Sequence, residues 1–164
     1  MADRAGFTDY VTEHSDRMLR TAYLLTRDWA RAEDLLQTAL AKAWVAWGRI
    51  QDDPSPYVYR ILTNTHASWW RLRWRGEVPT EHLPEIPSGD GAQAVDDRAV
   101  MLDALGRLSA RQRAVVVLHY FEEMPVEQVA DVLGCTASTV RTQMGRALVR
   151  LRVDPSLHVL KETR

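Results

Sequence analysis

Apolar residues recur at helical spacing along most of this chain, and nowhere do they alternate as a half-buried strand requires. Phe7–Leu25 predicts a first amphipathic helix, with Phe7, Val11, Leu19, Ala22 and Tyr23 as its inward candidates. Asp28–Trp47 predicts a second, in which Ala32, Leu35, Leu36, Ala39, Ala43 and Trp47 form a continuous apolar stripe ended by Gly48. After a short loop, Arg49–Pro54, the pair Ser55-Pro56 supplies an N-cap followed by proline at the first helical position. A third helix is expected from there to about Arg75, burying Val58, Ile61, Leu62, Thr65, Trp69 and Leu72. Periodicity then lapses. It returns at Arg98 with Val100–Leu108, with Ala110–Phe121 behind a Ser109 cap, and with Val126–Leu133. A Gly134-Cys135-Thr136 break separates this last segment from a helix that begins near Ser138.

The silent interval, Gly76–Asp97, holds Pro79, Pro84, Pro87, Gly89 and Gly91 among acidic residues. Such a composition disfavours a helix and cannot bury a core, so it reads as a flexible linker. The expected fold class is therefore all-α: two small helical domains, residues 1–75 and 98–153, joined by a flexible acidic linker over 76–97. The second is a helix-turn-helix domain. The tail, 154–164, contains Pro155 and reads as frayed or lightly docked.

Chemistry enters most clearly at Gly134–Arg152. Val140, Met144, Ala147, Leu148 and Leu151 share one face of the last helix, while Ser138, Thr139, Thr142 and Arg146 fall on the opposite one. No Asp or Glu interrupts the segment, whereas Arg141, Arg146, Arg150 and Arg152 do. Short polar side chains near an N-terminus, with arginines one turn on, suit a helix that enters the major groove. An ordinary solvated helical hairpin would mix charge signs on its outer face.

Overall charge adds a constraint. A formal net charge of −1 argues against nonspecific coating of nucleic acid, but the average conceals segregation. Tyr57–Arg75 carries Arg60, Arg71, Arg73 and Arg75 and no acid; Glu77–Asp97 carries Glu77, Glu81, Glu85, Asp90, Asp96 and Asp97 and no Lys or Arg. The single cysteine, Cys135, excludes an internal disulfide and cannot alone supply a cysteine-based zinc site. The histidines show no ligand spacing, and no glycine-rich phosphate loop or nucleophile–base arrangement is visible. No catalytic site, metal or cofactor is expected. The N-terminus lacks a secretory pattern and the longest apolar stretch, Ala114–Leu118, is far too short to span a bilayer, so a cytoplasmic protein with no membrane insertion is expected.

Three blocks, in order, resemble the extracytoplasmic-function (ECF) group of the sigma-70 family. They are Ala32-Glu33-Asp34-Leu35-Leu36-Gln37 with Ala43-Trp44; Tyr57-Val58-Tyr59-Arg60-Ile61-Leu62-Thr63-Asn64-Thr65; and Leu108-Ser109-Ala110-Arg111-Gln112-Arg113-Ala114-Val115 running into the helix-turn-helix. The resemblance spans about residues 7 to 152, with the weak linker where such proteins have one. It implies that residues 1–75 are sigma region 2 and 98–153 region 4. It also implies a non-enzymatic factor that binds RNA polymerase core, through the β′ clamp helices and the β flap, and brings it to promoter DNA. An anti-sigma factor is a further implied partner.

These roles can be placed on residues. With the Leu35/Ala39 face inward, the second helix presents Asp34, Gln37, Thr38, Ala41 and Val45, polar at its start and apolar at its end, as a docking surface. The resemblance assigns this strip to the polymerase clamp; Thr38 stands where many relatives carry an acid. On the third helix Arg60, Asn64, Arg71 and Arg75 line up, with Trp70 and Trp74 beside them, a combination that holds phosphates and stacks on unpaired bases. The resemblance makes this the minus-ten reader, together with the Arg49–Pro54 loop. Trp70 is open between surface packing and stacking on DNA. The family pattern places minus-thirty-five contacts on Arg141, Thr142 and Arg146; the helical wheel favours Ser138, Thr139, Thr142 and Arg146, with Arg141 at the phosphate edge. Gln143 and Gly145 depart from the commoner residues there. The competing reading is a free-standing helix-turn-helix regulator that binds operator DNA without polymerase; a weaker one is a helical adaptor. The Arg60–Arg75 stripe opposes the first, because a sensor domain needs no second DNA surface.

Overall fold

In the computed structural model the chain is described over residues 5–50, 52–74 and 92–153, with residues 5, 73, 74, 92–96 and 153 described by their backbone alone. Helix α1 (Ala5–Thr26) and helix α2 (Trp29–Ala46) form a hairpin whose turn is dictated by two residues. Arg27 takes a left-handed φ of 63° and its N–H donates to Tyr23 O at 2.7 Å, which closes α1. Asp28 then caps α2, its carboxylate accepting from Arg31 N at 3.1 Å. The α2 stripe is buried as its spacing demands, with Ala32, Leu35, Leu36, Ala39 and Ala43 all inside. The helix ends in a 3₁₀ turn, Trp47–Arg49, and half-buried Trp47 packs edge-on against Phe7 with ring centroids 5.1 Å apart.

Helix α3 (Ser55–Trp74) begins at Ser55 itself, so this serine is the first helical residue; its N–H donates to the Asp53 carboxylate at 3.0 Å. Val58 and Leu62 are buried as expected, but Leu72 is exposed, because the helix has run past its partners by then. Inward residues missing from the periodicity argument are Tyr10, Met18 and Leu25 on α1.

Helix α4 (Ala92–Gly106) starts six residues inside the interval read as linker, since residues 92–97 lie in the helix. The reason is local: past Gly91 the run Ala92-Gln93-Ala94-Val95 contains no breaker, and the proline-rich composition lies entirely before it. Helix α5 (Ala110–Val116) opens on a capping box between Ser109 and Gln112 and then widens into a π-helical turn, Val117–Phe121. Helix α6 (Val126–Leu133) stops at Gly134, whose φ of 68° is the left-handed conformation that glycine adopts without strain. Thr136 caps helix α7 (Ala137–Val153), its Oγ1 accepting from Thr139 N at 3.1 Å. The described residues contain no strand.

The two helical units do not stand apart. Helix α3 packs along α6, and α1 meets both α5 and the π turn. One hydrophobic cluster runs from Met18, Leu25 and Leu62 into Val115, Leu118, Val129 and Val132, so the units share a core. Periodicity cannot reveal this, because it shows which face is apolar and not which neighbour covers it.

Candidate nucleic-acid interface

Helix α7 places its sequence-derived faces as expected. Val140 and Ala147 are buried, Met144, Leu148 and Leu151 are half-buried, and Ser138, Arg141, Thr142 and Arg146 are exposed. Thr139 is half-buried, its hydroxyl 2.9 Å from that of Thr136, so it serves the cap and has little reach outward. Arg141 pairs with Glu127 of α6 at 3.5 Å. Beside α7 runs an open groove lined by Ser109, Gln112, Thr142, Gly145, Arg146 and Arg150. No acid lines it, so it can receive a phosphate backbone without repulsion.

The α2 strip is likewise open. Asp34, Gln37 and Ala41 are exposed, Thr38 is half-buried, and Val45 is 75% exposed, more than any other large apolar side chain among the described residues. An apolar end to a solvated strip is what a protein partner covers.

The α3 stripe behaves differently. Arg60, Asn64 and Arg71 are exposed, but Arg60 Nη2 donates to the Asp131 carbonyl of α6 at 2.6 Å. Trp70 is half-buried with the Arg113 guanidinium 5.5 Å from its ring centre, which gives it a packing role in this conformation. The side chain of Trp74, and Arg75 altogether, lie outside the described residues. The linker from residue 76 to 91 and the tail after Val153 lie outside them too.

Two polar residues central to this region were not singled out by sequence. Arg113 is almost fully buried and donates to the carbonyls of Leu105 at 2.8 Å, Leu108 at 3.3 Å and Leu25 at 2.7 Å. Burial, and then the nearby Arg27, holds its pKa down to about 10. A signal existed: Arg113 lies three and four residues before Val116 and Val117, on an apolar face. The second is Glu122, whose side chain is 6% exposed although it follows the π turn at the end of a helix. It accepts from Arg17 Nε at 2.7 Å, from Tyr59 Oη at 3.0 Å and from the Thr21 hydroxyl. Burial, then the adjacent Glu122 carboxylate, pushes the Tyr59 hydroxyl well above its ordinary pKa. No local pattern announces Glu122, because all its side-chain donors come from α1 and α3.

No group of metal-ligating side chains occurs among the described residues, and none of their helices is long and apolar enough to cross a membrane.

Comparison with known proteins agrees with this layout. Residues 10–76 match the family model for sigma-70 region 2, and residues 98–151 match that for sigma-70, region 4. The RNA polymerase sigma-E factor of Streptomyces coelicolor is 44% identical over 156 residues, covering 94% of this chain and 88% of the relative. The ECF RNA polymerase sigma factor SigL of Mycobacterium tuberculosis is 32% identical over 159 residues, covering 93% and 90%. Among solved structures, the sigma factor RpoE in complex with the anti-sigma factor NepR, from Bartonella quintana, superposes with a TM-score of 0.69 at 26% identity, covering 91% of this chain and 98% of that one.

Proposed function

Because the chain belongs to the ECF group of the sigma-70 family, we infer that it is an alternative sigma factor, binding RNA polymerase core and directing transcription initiation at specific promoters. Region 2 reads the minus-ten element and region 4 the minus-thirty-five element; RNA synthesis itself belongs to the polymerase. The observation that carries this over a free-standing regulator is the presence of both regions, in order, along nearly the whole chain.

Residue roles follow from the surfaces. Asp34, Gln37, Thr38, Ala41 and Val45 dock on the β′ clamp helices, with Ala41 and Val45 giving up exposed apolar area. Thr142 and Arg146 face the minus-thirty-five major groove beside Ser138, while Arg141 takes a phosphate. Arg60, Asn64 and Arg71, with Trp70, Trp74 and Arg75, hold the minus-ten strand once the helices of region 4 have left α3. The related RpoE is held by an anti-sigma factor, and we propose an inhibitor of that kind here also.

Run-off transcription with core polymerase tests the reading. Promoter-specific transcripts are expected only when the chain is added, with weak promoter binding by the chain alone. Tight, sequence-specific operator binding without polymerase overturns it in favour of the regulator.

A further inference from the structure

Thr26, Arg31, His66, Trp69, Trp70 and Arg113 line a cavity of about 40 Å³ where α1, α2, α3 and α5 come together. Its charged lining is entirely positive. Arg31 of α2 and Arg113 of α5 bring guanidinium groups to it, and His66 of α3 brings an imidazole. Among the described residues no carboxylate pairs with either guanidinium. We propose that this cavity binds one small free oxyanion of the inorganic phosphate class, held between Arg31, His66 and Arg113.

Arg113 is the anchor. It is 2% exposed, and a cation taken so far from water needs compensation. The carbonyls of Leu25, Leu105 and Leu108 take three of the five N–H groups that a guanidinium carries. Those dipoles leave the unit charge unneutralised and two N–H groups still to donate. Both pKa values record the same positive excess. Burial is the larger cause in each; Arg27 then holds Arg113 down to about 10, and Arg113 holds His66 down to about 4. No acid contributes to either. An oxyanion would reverse the second cause, and its oxygens match the planar forks of two arginines.

Size narrows the ligand. The cavity is roughly three times the 10–15 Å³ that one water needs, which suits a tetrahedral ion and excludes a nucleotide. The Thr26 hydroxyl donates to the Ala22 carbonyl at 2.8 Å, so it completes the wall without adding charge. The charged groups around His66 are Arg31 from α2 and Arg113 from α5, with Arg27 of α1 close to Arg113. One ring nitrogen of His66 donates to the Leu25 carbonyl. The other becomes a donor only on protonation, so the anion enters together with a proton on His66.

Thermal unfolding of the full chain tests the site, with inorganic phosphate as the probe and ionic strength held constant with potassium chloride. Raising phosphate from zero to about 10 mM should lift Tm by roughly 4 °C with the logarithm of concentration, as a Kd of about 1 mM requires. Arg31→Met keeps the half-buried stem and removes the donors, and should weaken phosphate at least about tenfold while circular dichroism is unchanged. An equal rise in Arg31→Met, or in potassium chloride alone, is exclusion of salt from the surface and overturns the site. Adenosine monophosphate at the same concentration should leave Tm unmoved. A nucleotide that matches phosphate overturns the free ion and gives the site to phosphate monoesters. The second readout lies inside the cavity. The ring resonance of His66, identified by its loss in His66→Gln, should be that of a neutral imidazole in chloride at about pH 5.5. Sulfate, an isostere whose charge is constant there, should leave the ring at least about half protonated. A His66 ring that stays neutral in sulfate overturns the site even where phosphate stabilises the chain.

Discussion

Arg141 of α7 and Glu127 of α6 meet at 3.5 Å across the helix-turn-helix, with both side chains largely in solvent. An exposed pair of this kind is worth about 0–1 kcal/mol, so a phosphate displaces Glu127 readily. Arg141→Ala should lower transcription uniformly across a promoter library and reduce the salt slope of binding by about one unit. Glu127→Gln should raise output slightly, since it frees the guanidinium. A change in sequence preference with Arg141→Ala would place this side chain on a base edge instead.

Arg146 is exposed and lines the open groove beside Thr142. Loss of a bidentate base contact costs about 1–3 kcal/mol at one position only. Arg146→Ala should therefore broaden the minus-thirty-five preference in the same library. Uniform loss would exchange the roles of Arg141 and Arg146.

Ala41 is exposed on the α2 strip, next to the exposed Val45. Ala41→Glu should leave the thermal melt of the isolated chain within about 0.5 kcal/mol of the original, as surface changes do. It should weaken pull-down of core polymerase by about tenfold, because an unpaired charge enters an apolar contact. Melting of the first domain would show that Ala41 supports the fold.

Gly145 sits in the middle of α7, and a Cβ there meets no atom within 4 Å. Gly145→Ala should stabilise the chain by about 1 kcal/mol in urea unfolding, through helix propensity alone. Reduced promoter binding in that stabilised variant would show that the groove beside α7 needs the missing methyl space.

His66 lines a cavity of about 40 Å³ with Thr26, Arg31, Trp69, Trp70 and Arg113. Burial first, and then the Arg113 charge, lowers its pKa from 6.5 to about 4. Between those values the unfolded chain binds a proton that native His66 refuses, so stability falls as pH drops from about 6.5 towards 4. The urea midpoint should fall across this window more steeply than in His66→Gln, by up to on the order of 3 kcal/mol. Parallel pH profiles would mean that His66 is solvated in the native chain.

The α2 stripe, the Ser109–Gln112 capping box, the Gly134 stop and the two faces of α7 were all legible in the sequence, because each depends on neighbours within a turn or two of helix. The start of α4 at Ala92 was nearly so; the acids around it pulled the expected boundary six residues too far. What only the tertiary structure decided is where long-range partners fall. Arg60 could be placed on an outer stripe, but that it donates to α6 depends on a residue 71 positions away. Glu122 reads as one more surface acid until Arg17, 105 residues earlier, and Tyr59 close over it. Period and propensity set the faces of each helix, since they act through short sequence separations. Which faces meet, and which charges are buried between them, is settled by packing two finished domains against each other.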